Sequence, residues 1–173
     1  MNRILPFFSF ILFLSLSGCG QKRNKETASL QLIIPEKPIS WVSDFEKLFT
    51  TEQSNYLDSL IHIYETSTGN EIAIVTLSLD TFQIENSQKF DDFSLALFNK
   101  WGVGKKDKNN GIGILISTKL KRIRIEVGKG LIKKLSDEEA KLIIDTQILP
   151  AFKKGEYYNG VLQGLIAIFK EIE

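Results

Sequence analysis

The chain has 173 residues, 22 Lys plus Arg against 21 Asp plus Glu, a formal charge of +1, one His and one Cys. One Cys closes no internal disulfide. One His excludes a three-His zinc site and leaves a Ser-His-Asp triad only His62 to use. Near-neutral charge argues against a basic nucleic-acid face, and 43% hydrophobic with 25% charged residues suits one globular domain rather than a disordered chain or a bundle of membrane helices.

The chain opens with Arg3 and an apolar run from Ile4 to Leu16, too short for a confident bilayer span and suited to a signal-peptide core. It ends in Leu16-Ser17-Gly18-Cys19. A Leu, two small residues and a Cys resemble the lipobox of bacterial lipoproteins, in which the peptide is cut before the Cys and the Cys is lipidated. The expectation is a signal peptide over 1–18 and a lipid on Cys19. Each buried CH₂ of that lipid would contribute about 0.8 kcal/mol to membrane retention. Cleavage removes Arg3 from the 22 basic residues and none of the 21 acids, so the remaining side chains balance. Residues 19–40 then read as a polar tether, reaching some 25 Å at roughly 5–6 Å × √n. Within it, Leu30 to Ile34 has the composition of a short edge strand.

From Ile39 the pattern alternates strands and helices. Ile39 to Asp44 is a short strand. Thr50 to Gln53 is a capping box, and Leu57, Leu60, Ile61 and Tyr64 form the stripe of the helix it opens. Gly69 stops that helix. Glu71 to Leu77 is a buried strand. A second helix runs from about Ile84 to Lys100, with Phe90, Phe93, Leu97 and Trp101 on one side. Ile112 to Ser117 is the next strand, and Arg122 to Val127 alternates strictly. With only Thr118 to Lys121 between them, those two form an antiparallel hairpin. Ser136 to Glu139 is a second capping box, opening a helix that reaches Pro150. The final helix carries Tyr158, Val161, Leu162, Leu165, Ile168 and Phe169, with Gly160 and Gly164 providing a close-packing face. Right-handed crossovers and a largely parallel sheet follow, with helices on both faces. The fold expected over 41–173 is a three-layer α/β/α sandwich with one antiparallel hairpin strand.

The chemistry on offer is narrow. Gly102-Val103-Gly104, Gly111-Ile112-Gly113 and Gly128-Lys129-Gly130 are Gly-x-Gly pairs, but none extends to a dinucleotide fingerprint or a P-loop. They read as tight turns, with an anion-binding nest as the alternative. His62 lies at the boundary of its helix's apolar stripe. Asp91-Asp92 and Arg122 read as solvated faces. Asp44 and Asp80 each follow the carboxyl end of a strand, where open α/β sheets bind ligands, and Glu85 starts the next helix. Oxygen donors without His or Cys suit Ca²⁺ or Mg²⁺. The same acids would serve equally as turn or helix-start residues. Asp107 and Asp137, with Asn109 and Asn110, form a second oxygen-rich group at the opposite edge.

From Trp41 onward the chain resembles the TPM-domain family. The motifs are Val42-Ser43-Asp44; Leu48 to Gln53; Thr68 to Thr76; Phe98-Asn99-Lys100-Trp101-Gly102-Val103-Gly104-Lys105; Asn110 to Leu115; Arg122 to Gly130; Leu135-Ser136-Asp137; and Leu149 to Tyr157. The resemblance implies an α/β/α sandwich, commonly exported and membrane-attached. Some members look like divalent-cation binders. Thylakoid-lumen relatives are assigned acid phosphatase activity and a part in photosystem II repair, and an animal relative modulates acetylcholine receptors. Two positions depart from the family pattern. Asn109 stands where an acid often precedes Asn-Gly, and Lys129 where an aromatic often lies between glycines.

The functional expectation is a lipid-anchored accessory domain of the bacterial envelope, facing the periplasm or exterior. It would be monomeric, would bind Ca²⁺ (or Mg²⁺) and would assist or modulate a membrane protein. The metal ligands are Asp44, Asp80 and Glu85 as first choice, Asp107 and Asp137 as second. A metal-dependent acid phosphatase and a metal-free interaction module are the alternatives. No catalytic residue is assigned, and no nucleic acid is expected.

Overall fold

The computed structural model describes residues 34–77, 84 and 87–173. They belong to the compact unit Gln31–Glu173. Strand β1 is Val42–Asp44 and strand β2 is Glu71–Thr76, joined through helix α1, Thr51–Thr68. Helix α2, Ser87–Trp101, leads to β3, Gly111–Ser117, and β4, Arg122–Val127. The C-terminal part is α3, Asp137–Ile143, a π-helical turn Ile144–Ile148, α4, Leu149–Phe152, and α5, Tyr157–Ile172.

Both predicted capping boxes form. Thr50 Oγ accepts from Gln53 N at 3.2 Å while Gln53 Oε1 accepts from Thr50 N at 3.0 Å. Ser136 and Glu139 repeat the exchange at α3. Each box occupies two backbone donors that a helix start otherwise leaves unpaired. The third helix passes Pro150 instead of stopping there. Pro150 brings no N–H, and the π-helical turn just before it lets Leu149 N donate to Ile144 O, five residues back. The helix resumes with Pro150 in its first turn, where a missing N–H is harmless.

The sheet order is β1-β2-β3-β4, with β1, β2 and β3 parallel and β4 antiparallel to β3. Alternation divides the core into two layers. Ile72 and Ile74 of β2, Ile112, Ile114 and Ile116 of β3 and Ile125 of β4 face α1, α3 and α5. Ala73, Val75 and Leu115 face α2, where Phe90, Phe93 and Leu97 bury against them. The molecule is therefore an α/β/α sandwich. Gly160 and Gly164 sit against Phe152 and Ile148, so α5 packs closely on the turn before α4.

One topological expectation changes. Three parallel strands in sequential order, with α1 over one face and α2 over the other, require crossovers of opposite hand. They are not both right-handed, although that hand holds in ~98% of such connections. The cause lies in β2 and β3, which are apolar on both faces. The layer containing α1 is also filled by α3 and α5, so α2 is the helix left to cover the other.

Residues 34–36, within the predicted tether, dock on the end of α2. Trp101 Nε1 donates to Pro35 O at 2.9 Å, and Lys100 Nζ donates to Ile34 O at 3.0 Å. No helix among the described residues is long and apolar enough to cross a membrane.

Candidate functional site

At the carboxyl ends of β1, β2 and β3 the chain places side-chain oxygens in one connected network. Asp44 closes β1. Its Oδ1 accepts from Leu48 N at 3.0 Å and its Oδ2 from Phe49 N at 2.8 Å. Thr76, fully buried at the end of β2, donates its hydroxyl to Asp44 Oδ1 at 2.5 Å and accepts from Glu46 N at 2.9 Å. Glu46 reaches across to the β3–β4 turn. Its Oε2 accepts from Thr118 N at 3.0 Å and from Thr118 Oγ1 at 2.8 Å, and its Oε1 accepts from Ser117 Oγ at 3.4 Å. Two carboxylates and three hydroxyls thus join β1, β2 and the hairpin.

The network explains the loop between β1 and α1. Lys47 has φ 57°, an uncommon conformation for a side-chain-bearing residue, and Asp44 holds the amides of Leu48 and Phe49 on its far side. Both carboxylate oxygens are engaged, yet each has two lone pairs. Among the described residues Asp44 Oδ2 and Glu46 Oε1 each accept one bond, which leaves each a further lone pair. Asp80 and Glu85 lie outside the described residues, as does Cys19. By chain position Asp80 follows Thr76 by four residues. Sequence reasoning placed Asp44 at this end and missed Glu46, Thr76, Ser117 and Thr118. The available signal was polar residues closing apolar strand runs, with an acid two residues beyond Asp44.

The opposite end is woven from backbone. Gly104 N donates to Glu71 Oε2 at 2.8 Å, Glu71 N to Asn110 O at 3.2 Å and Gly128 N to Gly111 O at 2.8 Å. A Cβ on Gly111 would overlap the Val103 carbonyl, and one on Gly128 the Asn109 carbonyl. The Gly-x-Gly pairs therefore serve close backbone approach. Asn110 is buried, with Oδ1 accepting from Lys105 N and Nδ2 donating to Gly69 O and Asn70 Oδ1. Asp107 is exposed in this loop. Asp137 instead lines a groove along β4, beside Arg124 and Lys141. Among the described residues, no three His, Cys, Asp or Glu side chains gather as metal ligands.

Two side chains depart from their sequence reading. Arg122 Nη2 donates to both oxygens of Asp91, at 2.9 and 2.8 Å, because α2 covers the face of β4 that alternation assigned to solvent. Neither is a free solvated charge, and Arg122 is no free phosphate clamp. His62 is exposed, its ring 5.0 Å from that of Trp41. Trp41 Nε1 donates to Glu65 Oε2 at 2.8 Å. Both tryptophans border a cleft of about 370 Å³ that also includes Glu65 and Glu71.

An α/β/α sandwich with one antiparallel edge strand, glycine-woven loops at one end and a carboxylate–hydroxyl network at the other defines the class. The chain belongs to the TPM domain family, whose model matches residues 42–171. It is similar to the solution structure of the N-terminal domain of a protein from P. gingivalis, with 30% identity, a TM-score of 0.66, and coverage of 76% of this chain and 80% of that one. The BA42 protein from the psychrophilic bacterium Bizionia argentinensis shares the fold at 22% identity and TM-score 0.59, covering 74% and 83%. So does the N-terminal domain of the cg2496 protein from Corynebacterium glutamicum, at 14% identity and TM-score 0.56, covering 80% and 84%. No curated protein matches the chain.

Proposed function

We propose that this TPM domain is an accessory domain of the bacterial envelope, exported, held to the membrane by a lipid on Cys19, and assisting or modulating membrane proteins. In this reading it binds Ca²⁺ at the carboxyl end of the sheet. The observation that carries the metal reading is the network of Asp44, Thr76, Glu46, Ser117 and Thr118, whose donors are all oxygen. Hard oxygen sets of this kind suit Ca²⁺, which accepts irregular coordination, better than Mg²⁺, which needs near-octahedral geometry. Asp44 Oδ2 and Glu46 Oε1 would supply the ligands from the described loop, and Asp80 and Glu85, which follow β2 in the chain, are the further candidates.

The experiment is thermal unfolding of the full chain in detergent as Ca²⁺ is raised to millimolar levels. Binding to the folded state raises Tm, by RT ln(1 + [L]/Kd) in free energy. Glu46→Gln, with its amide oxygen in the Oε2 position, still accepts from Thr118 N and Oγ1 but puts an N–H group in place of Oε1 and removes the charge, so it should fold and lose most of the Ca²⁺-dependent rise. An unchanged wild-type Tm, or an equal rise in Glu46→Gln and Asp80→Asn, overturns the site. Cys19 and the membrane attachment are tested separately below.

A further inference from the structure

We propose that the groove along the free edge of β4 takes an extended acidic peptide as a fifth strand of the sheet. This rests on reading the chain as a domain that assists other proteins, and it is independent of Ca²⁺.

Among the described residues the sheet ends at β4, which has β3 on one side only. Gly128 N donates to Gly111 O, and these residues continue the β3–β4 register as a directly opposed pair. Antiparallel pairs alternate between exchanging hydrogen bonds and not. Glu126, Arg124 and Arg122 therefore bond toward β3. Ile123, Ile125 and Val127 turn their N–H and C=O groups to the free edge. Among the described residues these backbone groups have no partner. Such a row is a template for strand addition.

The edge is not bare surface. Two adjoining cavities, of about 470 and 390 Å³, lie along it and share Lys121, Arg122, Ile123 and Leu149. Their far wall comes from α3, the π-helical turn and α4. An edge strand facing a helix across a groove is the layout in which a peptide pairs with the strand while its alternate side chains meet the helix. Apolar contacts are available at Ile144, Leu149 and Phe152. The run from Ile123 to Val127 would pair with about five residues of extended chain, roughly 16 Å at 3.3 Å per residue.

Charge selects the occupant. The groove is lined by Lys121, Arg122, Arg124, Lys141 and Lys153 against the acids Asp137 and Asp145. Arg122 is paired with Asp91, Arg124 with Glu126 and Lys141 with Asp145, which leaves Lys121 and Lys153 as the cations without a carboxylate partner among the described residues, both in the part of the groove nearer the β3–β4 turn. An extended segment alternating acidic and apolar residues matches both the charge and the apolar contacts.

The probe is a fluorescein-labelled octapeptide of alternating Glu and Val, titrated against the full chain in detergent without Ca²⁺. Fluorescence anisotropy should saturate, and hydrogen exchange at Ile123 and Ile125 should slow in the complex. The double charge reversal Lys121→Glu plus Lys153→Glu, on exposed side chains, should weaken binding at least ten-fold. The same peptide N-methylated at alternate residues should also bind at least ten-fold more weakly, with the protein untouched. Equal binding of a Lys–Val octapeptide or of the N-methylated peptide overturns the proposal, as does the absence of saturable binding. Protection of Ile123 and Ile125 that appears on concentrating the protein alone would assign the edge to a second copy instead. Because Ca²⁺ is absent throughout, a failure here leaves the carboxyl-end metal site standing, and a failed Ca²⁺ titration leaves this groove standing.

Discussion

Asp44→Ala removes the acceptor for three donors at once: the Leu48 and Phe49 amides and the Thr76 hydroxyl. Hydrogen bonds to a charged group contribute about 1.5–3 kcal/mol each when fully buried. Asp44 is half-buried, so water can replace part of the loss at the two amides, whereas Thr76 is sealed. About 1 kcal/mol per donor gives about 3 kcal/mol in all. The folded unit has about 140 residues, and ~2.1 cal/mol/K per residue gives an unfolding entropy near 0.3 kcal/mol/K. The expected drop in Tm is therefore about 10 °C, measured by far-UV circular dichroism in a Ca²⁺-free buffer. Thr76→Val, which loses one of the same bonds, should be less than additive with it in a double-mutant cycle. An Asp44→Ala protein melting within about 2 °C of wild type would refute the reasoning, since the network would then contribute nothing to the fold. The result also governs metal experiments: an Asp44 variant that fails to respond to Ca²⁺ has lost its loop as well as a ligand.

Gly113→Ala places a methyl group inside the ring of Phe98, a buried residue of α2. Overpacking there should cost about 2–3 kcal/mol in urea unfolding, and a shift below 0.5 kcal/mol would contradict the packing described. Ser136→Ala removes the α3 cap and should cost about 1 kcal/mol. The Glu139 carboxyl is held below the ordinary glutamate range, first by the hydrogen bond from the Ser136 backbone and then by the Ser136 side chain. Because the folded-state value is lowered, this stabilisation is present above the unfolded value and disappears as pH falls through the folded one. Glu139→Gln should flatten the stability–pH curve between about pH 3 and pH 5; an unchanged slope would remove the carboxylate from the cap. Cys19→Ser should abolish incorporation of labelled palmitate and move the chain from the membrane fraction to the soluble one, and a labelled Cys19→Ser protein would end the lipoprotein reading.

Much of the fold was legible because its signals are local. Two capping boxes, strict alternation in Arg122 to Val127 and a four-residue turn specify helix starts and a hairpin without knowledge of the rest. What stayed hidden depends on non-local packing. Alternation marks Arg122 as facing away from Ile123 and Ile125, but it cannot say that α2 lies on that side with Asp91 in reach. Crossover hand likewise follows from which layer still needs covering. Pro150 reads as a stop until the π-helical turn before it removes the need for its N–H. At the candidate site, the position of Asp44 was visible as an acid closing a strand. Its bonds to Leu48 and Phe49 depend on the positive φ of Lys47, and the role of Glu46 depends on the hairpin turn arriving beside it.

The proposed function turns on Ca²⁺ binding at the carboxyl end of the sheet. The most direct measurement is a ¹⁵N–¹H correlation spectrum of the full chain in detergent, recorded through a Ca²⁺ titration. Ca²⁺ bound there should give saturable shifts centred on the amides of Glu46, Leu48, Phe49 and Thr118. Shifts centred instead on Lys105 to Asn110 and Gly128 to Gly130, or no saturable shift anywhere, would contradict it.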